Sequence, residues 1–143
     1  MEKVETIPKI MRKHHSQLDG ILTKLQRHHE NIDESKKNFN KFKWELKKHF
    51  LLEEKAIFIF IYQEDDEIYK MKNDILNDHR IILKELDKVE AELNNDQVIN
   101  LLGLRDQLIK HRTFEDDSFY PKLEEELDDD KKKEILDRIT NPV

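Results

Sequence analysis

The sequence of 143 residues contains no cysteine and has only two glycines and three prolines. Without cysteine the chain can form no disulfide, no zinc–thiolate site and no cysteine-ligated iron–sulfur cluster. The scarcity of glycine and proline leaves few residues suited to the tight turns between β-strands. Lys, Glu, Leu and Ile are abundant instead, and this composition favours an all-helical protein.

Long apolar stretches are also missing from the sequence. The longest apolar run, from Ala56 to Tyr62, has seven residues, whereas a membrane-spanning helix needs about 20. The N-terminus shows no apolar stretch of the signal-peptide type. We therefore expect no membrane partner and a cytoplasmic location.

Charged residues make up 41% of the chain, and acidic and basic residues are interspersed, with a net charge of −6. This pattern is typical of amphipathic helices with a solvated outer face. The sequence contains no basic patch with interleaved aromatic residues. It therefore argues against nucleic acid as a partner.

Apolar residues recur in steps of three and four along four long segments, which predicts four long helices. In chain order, these are a helix from about Thr6 to a turn at residues 31–35, one from about Ser35 to about Tyr62, one that carries Ile68 to Leu93, and one that carries Val98 to Leu123. Pro121 is expected to kink or end the fourth helix, and a short fifth helix is expected from about Asp130 to Ile139. The pattern predicts one all-α domain over residues 1–143, an antiparallel up-down-up-down four-helix bundle with a short extra C-terminal helix.

The most informative pattern is a histidine followed four residues later by a glutamate, which occurs twice. His49 and Glu53 form the first copy, and His111 and Glu115 form the second copy 62 residues later. Residues four apart on a helix lie on one face, one turn apart. Each copy then leads into bulky apolar residues. We interpret the chain as one structural unit written twice.

Another histidine site precedes each copy. His79 precedes His111 by 32 residues, and the pair His14-His15 precedes His49 by 35 and 34 residues. The centre of the apolar face of the first helix lies nearer His14. His15, however, has apolar residues three, seven and ten positions further on, as His79 does. These offsets favour His15.

One histidine on an apolar face is usually a core residue with hydrogen-bond partners, and one His-x-x-x-Glu pair is usually a surface pair. Two matched copies on matched helices change this interpretation. Glutamates buried in the core would destabilise the fold unless a cation compensates their charge. We therefore predict that the two units face each other and bind metal. The predicted metal ligands are His15, His49, Glu53, His79, His111 and Glu115.

Nitrogen and oxygen donors without sulfur suit iron, manganese or zinc. Two carboxylates placed to bridge, with two histidines for each metal, favour a pair of iron ions inside a helical bundle. The polar residues around the motifs receive plainer interpretations. We expect Glu54 and Asp116 to be solvent-exposed, and His28 and His29 to be exposed or of secondary importance. Tyr120 could reach the core as a hydrogen-bond donor to the site, but packing at the end of the bundle is favoured.

These motifs resemble the hemerythrin-like (His-His-Glu cation-binding) family over roughly residues 6–127 of the chain. The resemblance is carried by the pair His14-His15, by His49-x-x-x-Glu53, by Asp78-His79, and by His111-x-x-x-Glu115 followed by Phe119-Tyr120-Pro121. It implies a four-helix bundle with a non-haem pair of iron ions joined by an oxo or hydroxo bridge, with manganese or zinc as other possible metals. It also implies bridging roles for Glu53 and Glu115 and terminal ligand roles for His15, His49, His79 and His111.

The sequence departs from the oxygen-carrying hemerythrins at two positions. Those proteins have a second histidine four residues after the first on the third helix, where this chain has Leu83. They also use a carboxylate five residues after the histidine of the last helix, a position held here by Asp116 beside Glu115. Whether Asp116 also binds the metal stays open at this point. Four histidines and two glutamates resemble the branch that repairs iron centres, although that branch usually carries a cysteine-containing N-terminal domain that this sequence lacks.

We therefore expect a stand-alone di-iron protein that binds or senses O2 or NO, and a metal-dependent ligand-binding protein rather than an enzyme. The first alternative is an iron donor that repairs iron–sulfur centres, or a stress-response enzyme. The second alternative is a helical interaction module with incidental zinc. The sequence identifies no protein partner.

Overall fold

The structure is a computed structural model that describes residues 6–27, 31–62, 66–97 and 99–140. All regular secondary structure in these ranges is helical, which confirms the all-α prediction. The α-helices are α1 (Ile7–Arg27), α2 (Ile32–Leu52), α3 (Asp66–Asn94), α4 (Leu102–Phe114), α5 (Tyr120–Glu126) and α6 (Asp129–Thr140). A π-helical segment, Glu53–Ile57, follows α2 and leads into a 3₁₀ turn, Phe58–Phe60. A second π-helical segment, Glu115–Phe119, joins α4 to α5.

The first helix begins where the sequence predicts, but the second begins earlier. The side-chain oxygen of Thr6 accepts a hydrogen bond from the backbone N–H of Lys9 at 3.3 Å, which caps α1. The predicted turn at residues 31–35 is wrong, because α2 already begins at Ile32. Asn31 caps this helix by accepting a hydrogen bond from the backbone N–H of Glu34 at 3.1 Å. His28 and His29 lie outside the described residues.

Three further predicted boundaries can be compared with the structure: the end of the second helix, the start of the fourth helix and the position of Pro121. The α-helical part of the second helix ends at Leu52, and the backbone becomes extended at Ile61. The fourth helix begins only at Leu102, while Val98 lies outside the described residues. The fourth helical segment does not end at Pro121, which lies in the first turn of α5, where proline is tolerated.

The short C-terminal helix is confirmed. Its first turn is capped by Asp128, whose carboxylate accepts a hydrogen bond from the backbone N–H of Lys131 at 2.8 Å. Ile135 and Ile139 bury the apolar face of α6 against α1 and the first π segment. Within the described ranges, none of the helices combines the length and the apolar character that a membrane crossing requires.

Buried apolar side chains form two separate clusters, which we name core 1 and core 2. Core 1 consists of Ile7, Ile10, Met11, Ala56, Ile57, Phe58, Ile61, Ile68, Ile75, Phe119, Tyr120, Leu123, Ile135 and Ile139. Core 2 consists of Leu22, Leu25, Phe39, Phe42, Leu46, Phe50, Ile82, Leu86, Val89, Leu93, Ile99, Leu101 and Leu104.

The long helical segments reach the two cores in alternating order. α1 and α3 contribute to core 1 first and to core 2 further along the chain. α2 with its π segment, and α4 with α5, contribute to core 2 first and then to core 1. α1 contacts α2 and α5, and α3 contacts α2 and α4. Every long segment therefore passes from one core to the other, and each carries a buried histidine at the boundary.

Replacing Gly20 by alanine is expected to stabilise the protein. Gly20 is exposed in the interior of α1, and a Cβ placed there has no neighbour within 4 Å. Because alanine favours the helix over glycine, Gly20→Ala should raise the free energy of unfolding by about 1 kcal/mol. Urea denaturation followed by circular dichroism measures the change. Gly103→Ala, in the first turn of α4, is the matched control with a smaller expected gain, and an unchanged or lower value for Gly20→Ala would contradict the open position of this residue.

Candidate metal centre

The six residues that the sequence singles out lie together at the boundary between the two cores. Each is almost completely buried, with an exposed fraction between 0% and 5%. The imidazoles come from α1, α2, α3 and α4, and the carboxylates come from the first residues of the two π segments. The six residues are His15, His49, Glu53, His79, His111 and Glu115. Below we call them the histidine–glutamate cluster.

The possible ligand atoms of the cluster form two groups of three. One group is His15, His49 and Glu115, and the other is Glu53, His79 and His111, with all atoms of a group within 4.8 Å of one another. The imidazoles pair in the same way. The ring centres of His15 and His49 are 5.0 Å apart, and those of His79 and His111 are 5.1 Å apart.

Each carboxylate lies close to one imidazole from each histidine pair. Oε1 of Glu53 is 3.2 Å from Nε2 of His49 and 3.3 Å from Nε2 of His79. Oε1 of Glu115 is 3.5 Å from Nε2 of His15 and 2.7 Å from Nε2 of His111. Both glutamates are therefore positioned between the two pairs.

These six atoms are close to one another but are not aligned for hydrogen bonding. Nε2 of all four histidines and Oε1 of both glutamates are buried without a hydrogen-bond partner. A buried polar atom left unpaired costs about 1–3 kcal/mol, and native proteins leave few of them. Lone pairs of nitrogen and oxygen that converge in this way fit metal ions, which would satisfy all six atoms together.

The two π segments extend the repeat from the side chains to the backbone. Each begins at the glutamate of a His-x-x-x-Glu motif. In each segment, the residue five positions after the glutamate is Phe58 or Tyr120, and its backbone N–H donates a hydrogen bond to the carbonyl oxygen of that glutamate. Such wide turns are rare in helices and occur frequently at functional sites. An argument from α-helical spacing places the glutamates correctly but contains no signal for the wider turn.

Tyr120 contributes to the site as a hydrogen-bond donor, the alternative that the sequence interpretation did not favour. It is fully buried, and its hydroxyl contacts Oε2 of Glu53 and lies 2.9 Å from Oε2 of Glu115. The expectation that it packs at the end of the bundle is therefore wrong. Burial and the two neighbouring carboxylates raise the pKa of Tyr120 well above its usual value, so the hydroxyl keeps its proton. The π turn, which places residue 120 above residue 115, could have indicated this contact.

Two aspartates orient imidazoles from outside the cluster. Nδ1 of His15 donates to Oδ1 of Asp116 at 2.9 Å, and Nδ1 of His111 donates to Oδ2 of Asp78 at 3.3 Å. A carboxylate that binds the outer ring nitrogen leaves Nε2 free to face a metal. The expected solvent exposure of Asp116 is wrong for this reason. Glu54 is half-buried, and its carboxylate lies 3.9 Å from Nδ1 of His79.

The electrostatics of the cluster reflect the balance between burial and charge. Burial alone would lower the pKa of His15, but Asp116 and Glu115 beside it raise the value to about 9. Burial would likewise lower the pKa of His111, but Glu115 and Asp78 raise it to about 10. Burial would raise the pKa of Glu53, but His49 and the other neighbours hold it well below the usual range. Without a metal, the cluster therefore holds positive charge on imidazoles beside an ionised carboxylate.

The structure places His15, and not His14, in the cluster. His14 is half-buried and lines a groove between α1, α2 and α6. Burial and the nearby rings of His49 and His15 lower the pKa of His14 to about 4. His14 is thus a neutral neighbour of the cluster, one residue away from the imidazole that faces Glu115.

A small cavity lies beside the cluster. It has a volume of about 20 Å³ and reaches the side chains of His15, His49 and His111. A space of about 10–15 Å³ is enough for one water molecule. The remaining wall is largely apolar and includes Leu22, Phe42, Leu46, Phe50 and Leu108. The cavity thus has room for a molecule of two or three atoms next to three imidazoles.

Comparison with known proteins agrees with this geometry. The family described as the hemerythrin HHE cation-binding domain matches residues 6–123 of the chain. No curated protein and no solved structure shows significant similarity to the chain. The family match covers all six residues of the histidine–glutamate cluster as well as Tyr120 and Asp116. This chain belongs to the hemerythrin HHE cation-binding domain family.

Proposed function

We propose that the protein binds a pair of iron ions in the histidine–glutamate cluster and that it binds O2 or NO there. The observation that carries this proposal is the convergence of six buried donor atoms that have no hydrogen-bond partner. Membership of a family of cation-binding domains supports a metal as the missing partner. Histidine and carboxylate donors without sulfur suit iron, with manganese and zinc as the other candidates.

The arrangement of the donors supports definite ligand roles. In this proposal His15 and His49 would hold one ion, and His79 and His111 would hold the other. Glu53 and Glu115 would serve as ligands shared by both ions, since each carboxylate lies within 3.5 Å of an imidazole from both pairs. Asp116 binds an imidazole nitrogen and acts as a positioning residue rather than a ligand.

We propose a single domain built on an antiparallel up-down-up-down four-helix bundle. The alternating order in which the long helical segments reach core 1 and core 2 supports this topology. Helices packed in this way keep side chains from facing helices at fixed positions in the interior of a bundle. The cytoplasmic location stays a prediction from the sequence.

Bound iron would supply reversible binding of a diatomic ligand at a coordination position that the protein leaves open. The chain supplies the surroundings. Asp116 and Asp78 hold the rings of His15 and His111 in place. The Tyr120 hydroxyl retains its proton beside Oε2 of Glu53 and Oε2 of Glu115. The wall of the small cavity is apolar apart from its histidines and the charged residues Asp19 and Arg112, and it suits a small molecule of low polarity such as O2 or NO.

The small cavity also favours ligand binding over the alternatives. An iron donor for iron–sulfur repair needs a route by which iron leaves, and a zinc-bearing interaction module needs only a filled core. Neither needs an apolar cavity of about 20 Å³ beside three imidazoles. A stress-response enzyme would use the same cavity, and catalytic turnover of the ligand distinguishes it from a binding protein.

Metal analysis with optical spectroscopy tests the proposed function. After anaerobic reconstitution with ferrous iron, the protein is expected to hold a pair of iron ions per chain, because the cluster offers two groups of donors. Its absorption spectrum should change on exposure to O2 or to NO and return when the gas is removed. Zinc alone in the purified protein, with no spectral response after iron reconstitution, would refute the proposal. Transfer of iron to an apo iron–sulfur protein, without a response to gas, would support the donor alternative instead.

Removal of the two carboxylates should abolish binding of the iron pair. The double variant Glu53→Ala/Glu115→Ala loses both proposed bridging groups, so its iron content should fall close to zero while its circular dichroism spectrum stays helical. Glu125→Ala, a change of an exposed glutamate of α5 outside the cluster, is the control and should keep its iron. Retention of both ions by the double variant would show that the glutamates do not bridge them.

Loss of the carboxylate behind His15 should weaken the site without emptying it. Asp116→Asn removes the charge that orients the His15 ring, and changes of this kind typically lower metal affinity by about 10–100-fold. Competition with a chelator of known affinity measures the effect. Asp117→Asn changes the exposed neighbour of Asp116 and should leave the affinity unchanged. Equal affinities for the two variants would argue against a positioning role for Asp116.

A further inference from the structure

A large groove lies on the outside of the helices, next to the histidine–glutamate cluster. It is formed by α1, α2, the first π segment and α6, and its volume is about 550 Å³. Pockets that bind small organic molecules typically measure about 300–1,000 Å³. We name this feature the outer groove. Its size matches a molecule much larger than the diatomic ligand of the proposed function.

The wall of the outer groove combines polar residues with a set of aliphatic side chains. Leu18 and Ile21 of α1, Leu51 and Leu52 at the end of α2, and Ile139 of α6 form the larger part of this aliphatic set. Leu51 is 56% exposed. A concave surface that leaves several aliphatic side chains accessible to water indicates a binding site for an apolar body.

The charged residues of the outer groove have a sign opposite to that of the whole chain. Lys48, Lys55 and Arg138 line the groove, and Glu45 is the acidic residue among the lining side chains. The chain as a whole carries a net charge of −6. A local excess of cations in a concave site attracts anions to that position.

The cations are placed at well-defined positions along the groove. Lys48 of α2 and Lys55 of the first π segment both line the groove, and Leu51 and Leu52, which lie between them in the sequence, line it too. Arg138 is held on the opposite side. Its Nε donates a hydrogen bond to Glu134 at 3.1 Å, and its guanidinium lies 5.1 Å from the centre of the Phe60 ring.

We propose that the outer groove binds a small organic acid with an apolar body, whose anionic group pairs with Lys48 and Lys55 and whose body covers the aliphatic side chains. The concave shape fits a single soluble molecule. The groove shares Leu18 and His49 with the small cavity beside the cluster. The occupant therefore lies against an imidazole of the cluster, although its binding depends on the groove alone and not on iron.

A pair of fluorescent probes tests the chemistry of the groove on the full chain as purified. 8-Anilinonaphthalene-1-sulfonate is an aromatic anion, and N-phenyl-1-naphthylamine has the same rings without the sulfonate. The anion is expected to bind with the lower dissociation constant. The double variant Lys48→Gln/Lys55→Gln should raise that constant roughly tenfold because two partly exposed ion pairs are lost, and binding of the neutral probe should not change.

The matched control removes the same amount of positive charge from two positions of α2 that lie outside the groove. Lys41 and Lys47 are exposed residues of α2 that do not line the groove. The double variant Lys41→Gln/Lys47→Gln should bind both probes as the wild-type protein does. Equal weakening of the anionic probe in the two double variants would overturn the proposal, and so would equal affinity of the wild-type protein for both probes.

The absence of cysteine from the chain allows the probe to be located. Gln17→Cys places one thiol in the wall of the groove, and Ser16→Cys places one on the exposed neighbouring residue outside it. Modification with N-cyclohexylmaleimide should block binding of the anionic probe in the first variant and leave it intact in the second. Undiminished binding to modified Gln17→Cys would show that the anion binds elsewhere and would refute the assignment. All of these measurements can be made without iron, so their failure would leave the di-iron proposal standing.

Discussion

The structure depends on the burial of six polar donor atoms between two apolar cores. An unpaired buried polar atom costs about 1–3 kcal/mol, and in the cluster the attraction between imidazoles and carboxylates at 2.7–3.5 Å offsets only part of this cost. Cations that satisfy these donors would remove the remaining cost, and binding that favours the folded chain stabilises it. Core 1 and core 2 lie on either side of the cluster and pack the four helices that carry the imidazoles. This packing keeps the donors close together and buried.

The two copies of the repeat agree in their backbone and differ in the side chain that follows the π turn. Five residues after each glutamate the chain has Phe58 in the first copy and Tyr120 in the second. The Phe58 ring stacks at 6.2 Å from the His79 ring, whereas the Tyr120 hydroxyl contacts both carboxylates. Beyond this point the first copy leaves the helix and the second continues into α5. A pair of ions in the cluster would therefore meet unequal surroundings, although their ligands are nearly symmetric.

Sequence periodicity was sufficient for the helices and for the positions of the six donors, because both depend on α-helical spacing. It failed where the local geometry departs from that spacing. Asn31 was assigned to a turn because its side chain suits a turn and a helix cap equally well. The contact of Tyr120 with both carboxylates depends on the π segment, which changes the direction of the side chains after Glu115, and the contact of Asp116 with His15 joins helical segments that only tertiary packing brings together. The outer groove was not foreseen, since its wall combines residues from three helices that only tertiary packing brings together.

The small cavity and the outer groove are separated by side chains that belong to both. Leu18 of α1 and His49 of α2 line each of them. On α2, Leu46 and Lys47 are followed by Lys48, which lines the outer groove. The next residue, His49, belongs to the histidine–glutamate cluster. The buried donors are therefore only one layer of side chains away from a surface that can hold another molecule. A molecule in the outer groove would therefore contact the side chain of His49 directly.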